Sequence, residues 1–161
     1  MLKIKNGITQ KQIAQLLNFS QNDPVIAKFT TDKTRFASKV TFESWRKTKG
    51  HIIYTLEGEK KELAGIMWLS FETSPQLSPQ YGISFGIRIY EPYRGKGLSF
   101  NFMKTCFDKF HKTKSYQKTA NNKIWISTSK DNLAAIALYK KSGFRQIFHP
   151  DKEGKILMVL N

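Results

Sequence analysis

Residues 87 to 111 limit the possible folds more than any other stretch of the chain. Ile87-Arg-Ile-Tyr-Glu-Pro-Tyr-Arg-Gly-Lys-Gly-Leu-Ser99 begins as an apolar run with β-branched residues. It stops at Pro92, which cannot donate to a strand ladder. Arg94-Gly-Lys-Gly97 follows as a tight, basic turn with little side-chain bulk. Phe102, Met103, Cys106, Phe107 and Phe110 then recur at the spacing of one helix face. Strand, glycine turn and helix in succession aim unpaired backbone N–H groups and the positive end of a helix dipole at one point. An anion, most naturally a phosphate, suits that point. The turn is not a P-loop, because Tyr90 stands where that motif needs its first glycine, and the six-residue glycine pattern of a dinucleotide site is not completed either.

Lys and Arg outnumber Asp and Glu by 27 to 12, a formal charge of +15. Such an excess favours an anionic partner, be it a phosphorylated small molecule, a nucleic acid or an acidic surface. The lysines are scattered, with a modest cluster between Lys109 and Lys118. No helix face interleaves basic with aromatic residues as a groove binder does, so nucleic acid is not the expected partner. Hydrophobic residues at 40% and charged residues at 24% exclude a disordered chain. No apolar run approaches the ~18 residues that span a bilayer. The opening Met-Leu-Lys-Ile-Lys-Asn-Gly is too polar and short for a secretory leader, and no membrane role is expected. Cys106 is the single cysteine, which fits a reducing, cytoplasmic compartment. Its place in an apolar helical stripe marks a buried thiol rather than a nucleophile. His51, His111 and His149 have no ligand-like spacing, so no metal is expected.

The length of 161 residues suits one domain covering 1–161. Leu2-Lys-Ile4 is a short first strand, and Thr9-x-x-Gln12 is a capping box before a helix whose apolar face is Ile13, Leu16 and Leu17. Asn22-Asp-Pro24 is a turn signal, with short helical pieces up to Trp45. Phe29, Phe36, Phe42 and Trp45 are core or pocket wall. His51 to Glu57 and Leu63 to Phe71 form a hairpin around Gly58-Glu-Lys-Lys61, and a loop over 72–80 leads into a strand from Tyr81 to Tyr90. Beyond the central helix, Lys112 to Lys123 shows no periodicity. Ile124 to Ser127 is a buried strand, Asp131 to Ser142 an alanine-rich helix closed by Gly143, and Phe144 to Phe148 with Ile156 to Leu160 a terminal hairpin. Early strands, one parallel crossover and a closing hairpin make a mixed α/β domain.

On the alanine-rich helix, Asn132, Ile136 and Tyr139 share one face, the amide and the phenol lying roughly 10 Å apart along the axis at ~1.5 Å per residue. An amide can hold a ligand's amide groups, and a phenol can give a proton to a leaving group.

Two stretches, Tyr93-Arg-Gly-Lys-Gly-Leu-Ser99 and Asn132-Leu-Ala-Ala-Ile-Ala-Leu-Tyr-Lys-Lys-Ser-Gly-Phe144, closely resemble the GNAT superfamily of acetyl-CoA-dependent N-acetyltransferases. The first follows that family's Arg/Gln-x-x-Gly-x-Gly/Ala pattern, and the second its helix ending Tyr-x-x-x-Gly-Phe. The resemblance implies a GNAT-like acyl-CoA N-acyltransferase fold, with a central, mostly antiparallel sheet and helices on both faces. It implies that acetyl-CoA is the co-substrate and that its acetyl group passes directly to a primary amine of a small molecule or peptide, in a monomer or homodimer. An acyl-CoA-binding module of the same fold without turnover is the alternative. By the same resemblance Ile87, Arg88 and Ile89 would offer backbone groups to the acetyl carbonyl and pantetheine. Arg94, Gly95, Lys96, Gly97, Leu98 and Ser99 would donate backbone N–H groups to the phosphates, the glycines permitting close approach. Asn132 would contact the cofactor arm, and Tyr139 would protonate the departing thiolate.

This chain departs from the family in two places. Ser99 replaces the small Gly or Ala that closes the first motif. Where members often carry a strand glutamate as general base, this chain has Ile83 and Ser84. Glu72, Glu91, His51 or a water are the open alternatives for that proton.

Overall fold

In the computed structural model, which describes residues 1–161 apart from the side chain of Lys49, most α-helix starts carry a side-chain cap. The chain runs through β1 (Lys3–Asn6), α1 (Gln10–Asn22), α2 (Pro24–Phe29), α3 (Asp32–Arg35), α4 (Lys39–Lys47), a 3-10 turn at Thr48–Gly50, β2 (Ile52–Glu57), β3 (Leu63–Phe71) and β4 (Ile83–Ile89). It continues through α5 (Leu98–His111), α6 (Lys114–Gln117), β5 (Ile124–Ser129), α7 (Leu133–Lys141), β6 (Arg145–Gln146) and β7 (Lys155–Leu160). Thr9 and Gln12 form the anticipated reciprocal cap of α1, and Asp23 caps α2 with Pro24 in its first turn.

The strands are hydrogen-bonded in the order β1-β2-β3-β4-β5-β7-β6. Pairs β1–β2, β5–β7 and β6–β7 are antiparallel, and β4–β5 is parallel. Glu72 N–H donates to Gly82 O and Tyr90 N–H to Ala64 O, so β3 and β4 also run antiparallel. The expected mixed α/β architecture with a mostly antiparallel sheet is therefore present.

Two compact units make up the chain. The first comprises Met1–Trp68 and Ile87–Leu98. Its core joins Ile13 and Leu16 of α1, Ile26 of α2, Phe36 and Phe42 to Ile53, Leu63, Ile66, Trp68 and Tyr90. Phe36 and Phe42 are core as anticipated, Trp45 packs on them from a half-buried position, and Phe29 stays half-buried. The second unit comprises Leu69–Gly86 and Ser99–Asn161. There the apolar face of α5 meets an aromatic set: Phe107 lies edge-on to Phe85 at 5.3 Å, and Phe110 meets Phe71 at 6.0 Å. The connection over 112–123 contains α6, whose start is capped by Thr113 Oγ1 accepting from Tyr116 N–H. Four residues are too few to show a helical period, which is why no periodicity marks this turn.

Buried charge organises the first unit. Asp32, fully buried, accepts from Arg88 Nε at 2.7 Å and Nη2 at 3.0 Å, and from Arg35 Nη1 at 2.9 Å. The Arg88 guanidinium also lies over the Trp68 ring at 4.9 Å. Asp23 does double duty: Oδ1 accepts the α2 N–H groups of Val25 and Ile26, while Arg94 approaches with Nη2 at 2.6 Å and Nη1 at 3.2 Å. Burial pushes the Asp23 carboxyl upward, but the Arg94 and backbone hydrogen bonds outweigh it and hold the group below the usual carboxylate range.

Both carboxylates give testable outcomes. Asp32→Ala takes the shared carboxylate from Arg35 and Arg88 and should lower stability by roughly 3–5 kcal/mol, read as a lower urea midpoint at unchanged m. The Asp23 contribution is complete above its unfolded range of about pH 4 and is lost as pH falls through its lower folded value. Asp23→Asn should therefore melt below the wild type at pH 7, the two melting temperatures converging as the pH falls through the lowered folded value.

Candidate active site

The turn after β4 is built by main-chain hydrogen bonds. Tyr93 N–H and Arg94 N–H both donate to Tyr90 O, at 2.8 and 3.1 Å, and reverse the chain. Gly95 and Gly97 then take φ of 76° and 71°, a region L side chains resist. A Cβ built on either would meet nothing within 4 Å, so glycine is required by conformation and the main chain stands open to an incoming group. Helix α5 starts immediately afterwards, and its first N–H groups have no acceptor within the helix. Of the six residues given a phosphate role in the sequence, Arg94 already donates its N–H to Tyr90 O. The other five are Gly95, Lys96, Gly97, Leu98 and Ser99. The Arg94 side chain is engaged with Asp23, and its Nε donates to Ile89 O at 3.2 Å. It braces the turn.

Strand β4 changes character along its length. Its parallel ladder with β5 covers Ile83↔Ile124 and Ser84↔Trp125, whereas β5 pairs with β7 from Ile124 to Ser129. Ile87, Arg88 and Ile89 are half-buried. The Arg88 side chain belongs to the Asp32 cluster, which leaves main-chain groups as what this position offers a ligand.

On α7, Asn132 Oδ1 accepts the Ala135 N–H at 3.3 Å and caps the helix. Tyr139 is 4% exposed. Its ring stands edge-on to Phe85 at 5.6 Å and tilts against Phe144 at 5.9 Å. Gly143, at φ 93°, ends the helix, and Phe144 N–H returns to Tyr139 O. The phenol is thus held by packing rather than left on a mobile surface. Burial pushes the Cys106 thiol up to about 12, in keeping with a structural role.

The three side chains weighed as proton acceptors occupy different surroundings. Glu91 is 64% exposed and lies 3.6 Å from Arg94 Nη1. His51 lies against the Trp45 ring at 4.0 Å. Glu72, half-buried, accepts the Ser84 hydroxyl at 3.1 Å, and its carbonyl accepts Trp125 Nε1–H at 2.8 Å. Ser84, Trp125, Asp23 and Asp32 had no place in the sequence-level site. Only Asp23 carried a local signal, the Asp-Pro helix start.

The Acetyltransferase (GNAT) family matches residues 13–144. An uncharacterized N-acetyltransferase of Bacillus subtilis (strain 168), YycN, is 25% identical over 99 residues, covering 62% of this chain and 58% of that protein. The chain therefore matches little more than half the length of that relative. Among solved structures, the spermidine N-acetyltransferase from Vibrio cholerae in complex with CoA and spermine superposes with a TM-score of 0.72 at 17% identity, over 98% of this chain and 92% of that one. AAC(6')-Ib with acetyl-CoA gives 0.73 at 17% identity, over 99% and 93%. These two likenesses concern the fold. With most of its length covered by the family match, the chain belongs to the Acetyltransferase (GNAT) family.

Proposed function

We propose that this protein transfers an acetyl group from acetyl-CoA to a primary amine. The observation that supports the reading is the turn after β4, where positive-φ Gly95 and Gly97 leave open space beside the main chain just before α5. Acetyl-CoA supplies an activated thioester carbonyl and a thiolate leaving group. The N–H groups of Gly95 to Ser99 bind the diphosphate, and the glycines allow that approach without a Cβ in the way. Main-chain groups of Ile87, Arg88 and Ile89 orient the pantetheine arm and the acyl carbonyl. Asn132 keeps its amide oxygen on Ala135, so its Nδ2–H groups are the ones that meet the cofactor arm. The Tyr139 hydroxyl delivers its proton to the sulfur as the carbon–sulfur bond breaks. The acceptor is a small molecule or a peptide, and the protein works in the cytoplasm.

The formal charge of +15 raises the local concentration of an anionic co-substrate. It works against polycationic acceptors unless carboxylates near the acceptor offset it.

Acetyl-CoA at about a hundred times its Kd should stabilise the protein by ~2.7 kcal/mol, seen as a rise in Tm. Gly97→Val, strained at φ 71°, should abolish that rise while the ligand-free protein still melts cooperatively. Thiol release from acetyl-CoA over a panel of amines tests turnover. Tyr139→Phe should lower kcat about 100-fold and leave the acetyl-CoA KM unchanged. A full-rate Tyr139→Phe would remove that residue from the chemistry.

A further inference from the structure

We propose that Tyr93, tied through its phenol to Glu62 of the β2–β3 turn, is a positioning residue for the co-substrate: its ring keeps the Lys96 ammonium inside the glycine turn, where that charge attracts the diphosphate. The assignment rests on the acetyl-CoA reading above and adds a side chain where that reading used only the main chain. Tyr93, Lys96, Glu62 and Gly58 all belong to the first compact unit.

The β2–β3 turn is built to receive the phenol. Gly58 N–H donates to Glu62 O at 2.9 Å and Lys61 N–H to Gly58 O at 3.1 Å, which closes a tight loop and returns Glu62 beside Gly58. The Glu62 carboxylate accepts the hydroxyl of Tyr93, 31 positions away in the chain. Gly58 is buried, and a Cβ there would collide with both the Glu62 carboxylate and the Tyr93 hydroxyl. Unlike Gly95 and Gly97, Gly58 does not take a positive φ, so what glycine supplies at this position is room for the contact. The hydrogen bond from Tyr93 holds the Glu62 carboxyl below its usual range, and the same bond raises the Tyr93 phenol. The donor therefore stays protonated and the acceptor ionised across the neutral range.

The ring is fixed at its main-chain end as well, since Tyr93 N–H donates to Tyr90 O at 2.8 Å. Lys96 Nζ lies 5.6 Å from the centroid of that ring. This is inside the ~6 Å over which a cation is attracted to an aromatic face. Lys96 stands between the two positive-φ glycines and is exposed.

Charge accounting gives the second argument. Arg94, the other cation of the turn, is committed to Asp23 and lies 3.6 Å from Glu91. Among the described residues no carboxylate pairs with the Lys96 ammonium. An aromatic face locates a cation without neutralising it, so Lys96 keeps its charge for an incoming anion. A side chain already located also loses less freedom when the ligand arrives. Confined to the turn, the ammonium stays within the ~10 Å over which charges act at ordinary ionic strength, measured from a diphosphate on the Gly95 to Leu98 amides. Direct contact with a phosphate oxygen is not required.

Calorimetric titration of CoA into the wild type and its variants at low ionic strength tests the assignment. Lys96→Ala should weaken CoA about 10-fold, and Lys96→Arg, which keeps a cation able to stack, by no more than about 2-fold. Tyr93→Leu removes the ring and should weaken CoA about 5-fold. Tyr93→Phe keeps the ring but loses the tie to Glu62, and should weaken CoA about 3-fold. The double variant Tyr93→Leu/Lys96→Ala should bind as Lys96→Ala does, because the ring acts only through the ammonium. A merely structural role for Tyr93 would multiply the two losses. Lys96→Ala at wild-type affinity, or losses that multiply in the double variant, overturns the assignment alone. If Tyr93→Leu fails to fold, the same cycle is run with Tyr93→Phe, and multiplication overturns the assignment there too. A wild type that binds neither CoA nor acetyl-CoA overturns the co-substrate reading and this assignment together.

Discussion

Two buried carboxylates hold the end of β4 and the turn that follows it. Asp32 grips Arg88 on the strand, and Asp23 grips Arg94 at the turn's entrance. A chain with a formal charge of +15 has many cations and few anions, so where the anions are spent matters. Asp23 and Asp32 are the aspartates counted among the buried polar residues. Each sits at the beginning of a helix, where a carboxylate is favoured by the helix dipole, and each faces a guanidinium. Removing Asp32 takes the shared carboxylate from Arg88 and Arg35, and removing Asp23 takes it from Arg94, losses costlier than that of a surface pair. The turn between them is consequently held in one conformation before any ligand arrives. Donors fixed in advance lose less on binding than donors that must first be ordered.

What was legible in the chain was local. The Thr9–Gln12 cap, the Asp23-Pro24 helix start, the glycine stop at Gly143 and the apolar face of α5 each depend on neighbours within about one helical turn. The glycine turn and the tyrosine-bearing helix could each be seen for the same reason. The long-range partners could not. Arg88 meets Asp32 across 56 positions, Arg94 meets Asp23 across 71, and Trp125 meets Glu72 across 53. Strand register and helix placement decide those meetings, and no periodicity encodes them. Glu72 shows the limit well. It could be named in the sequence as one open alternative for the proton acceptor, while the Ser84 hydroxyl that donates to it is visible only in the fold.

Asn132 and Arg94 illustrate a second limit. Both sit in motifs that point to a ligand, yet the fold uses part of each for itself. Asn132 spends its amide oxygen on the α7 cap, and Arg94 spends its N–H on Tyr90 and its guanidinium on Asp23. A motif residue can thus serve by shaping the backbone that meets the ligand, and the glycines beside Arg94 are the clearest case. Their positive φ sets the course of the main chain through the turn, where Gly95, Lys96 and Gly97 are all exposed.

Backbone amide NMR during a CoA titration probes that arrangement most directly. The largest shifts should fall on Gly95, Lys96, Gly97, Leu98 and Ser99, and inorganic pyrophosphate should reproduce them in weaker form. Saturable shifts that leave these five amides unmoved would contradict a main-chain diphosphate site at the turn after β4.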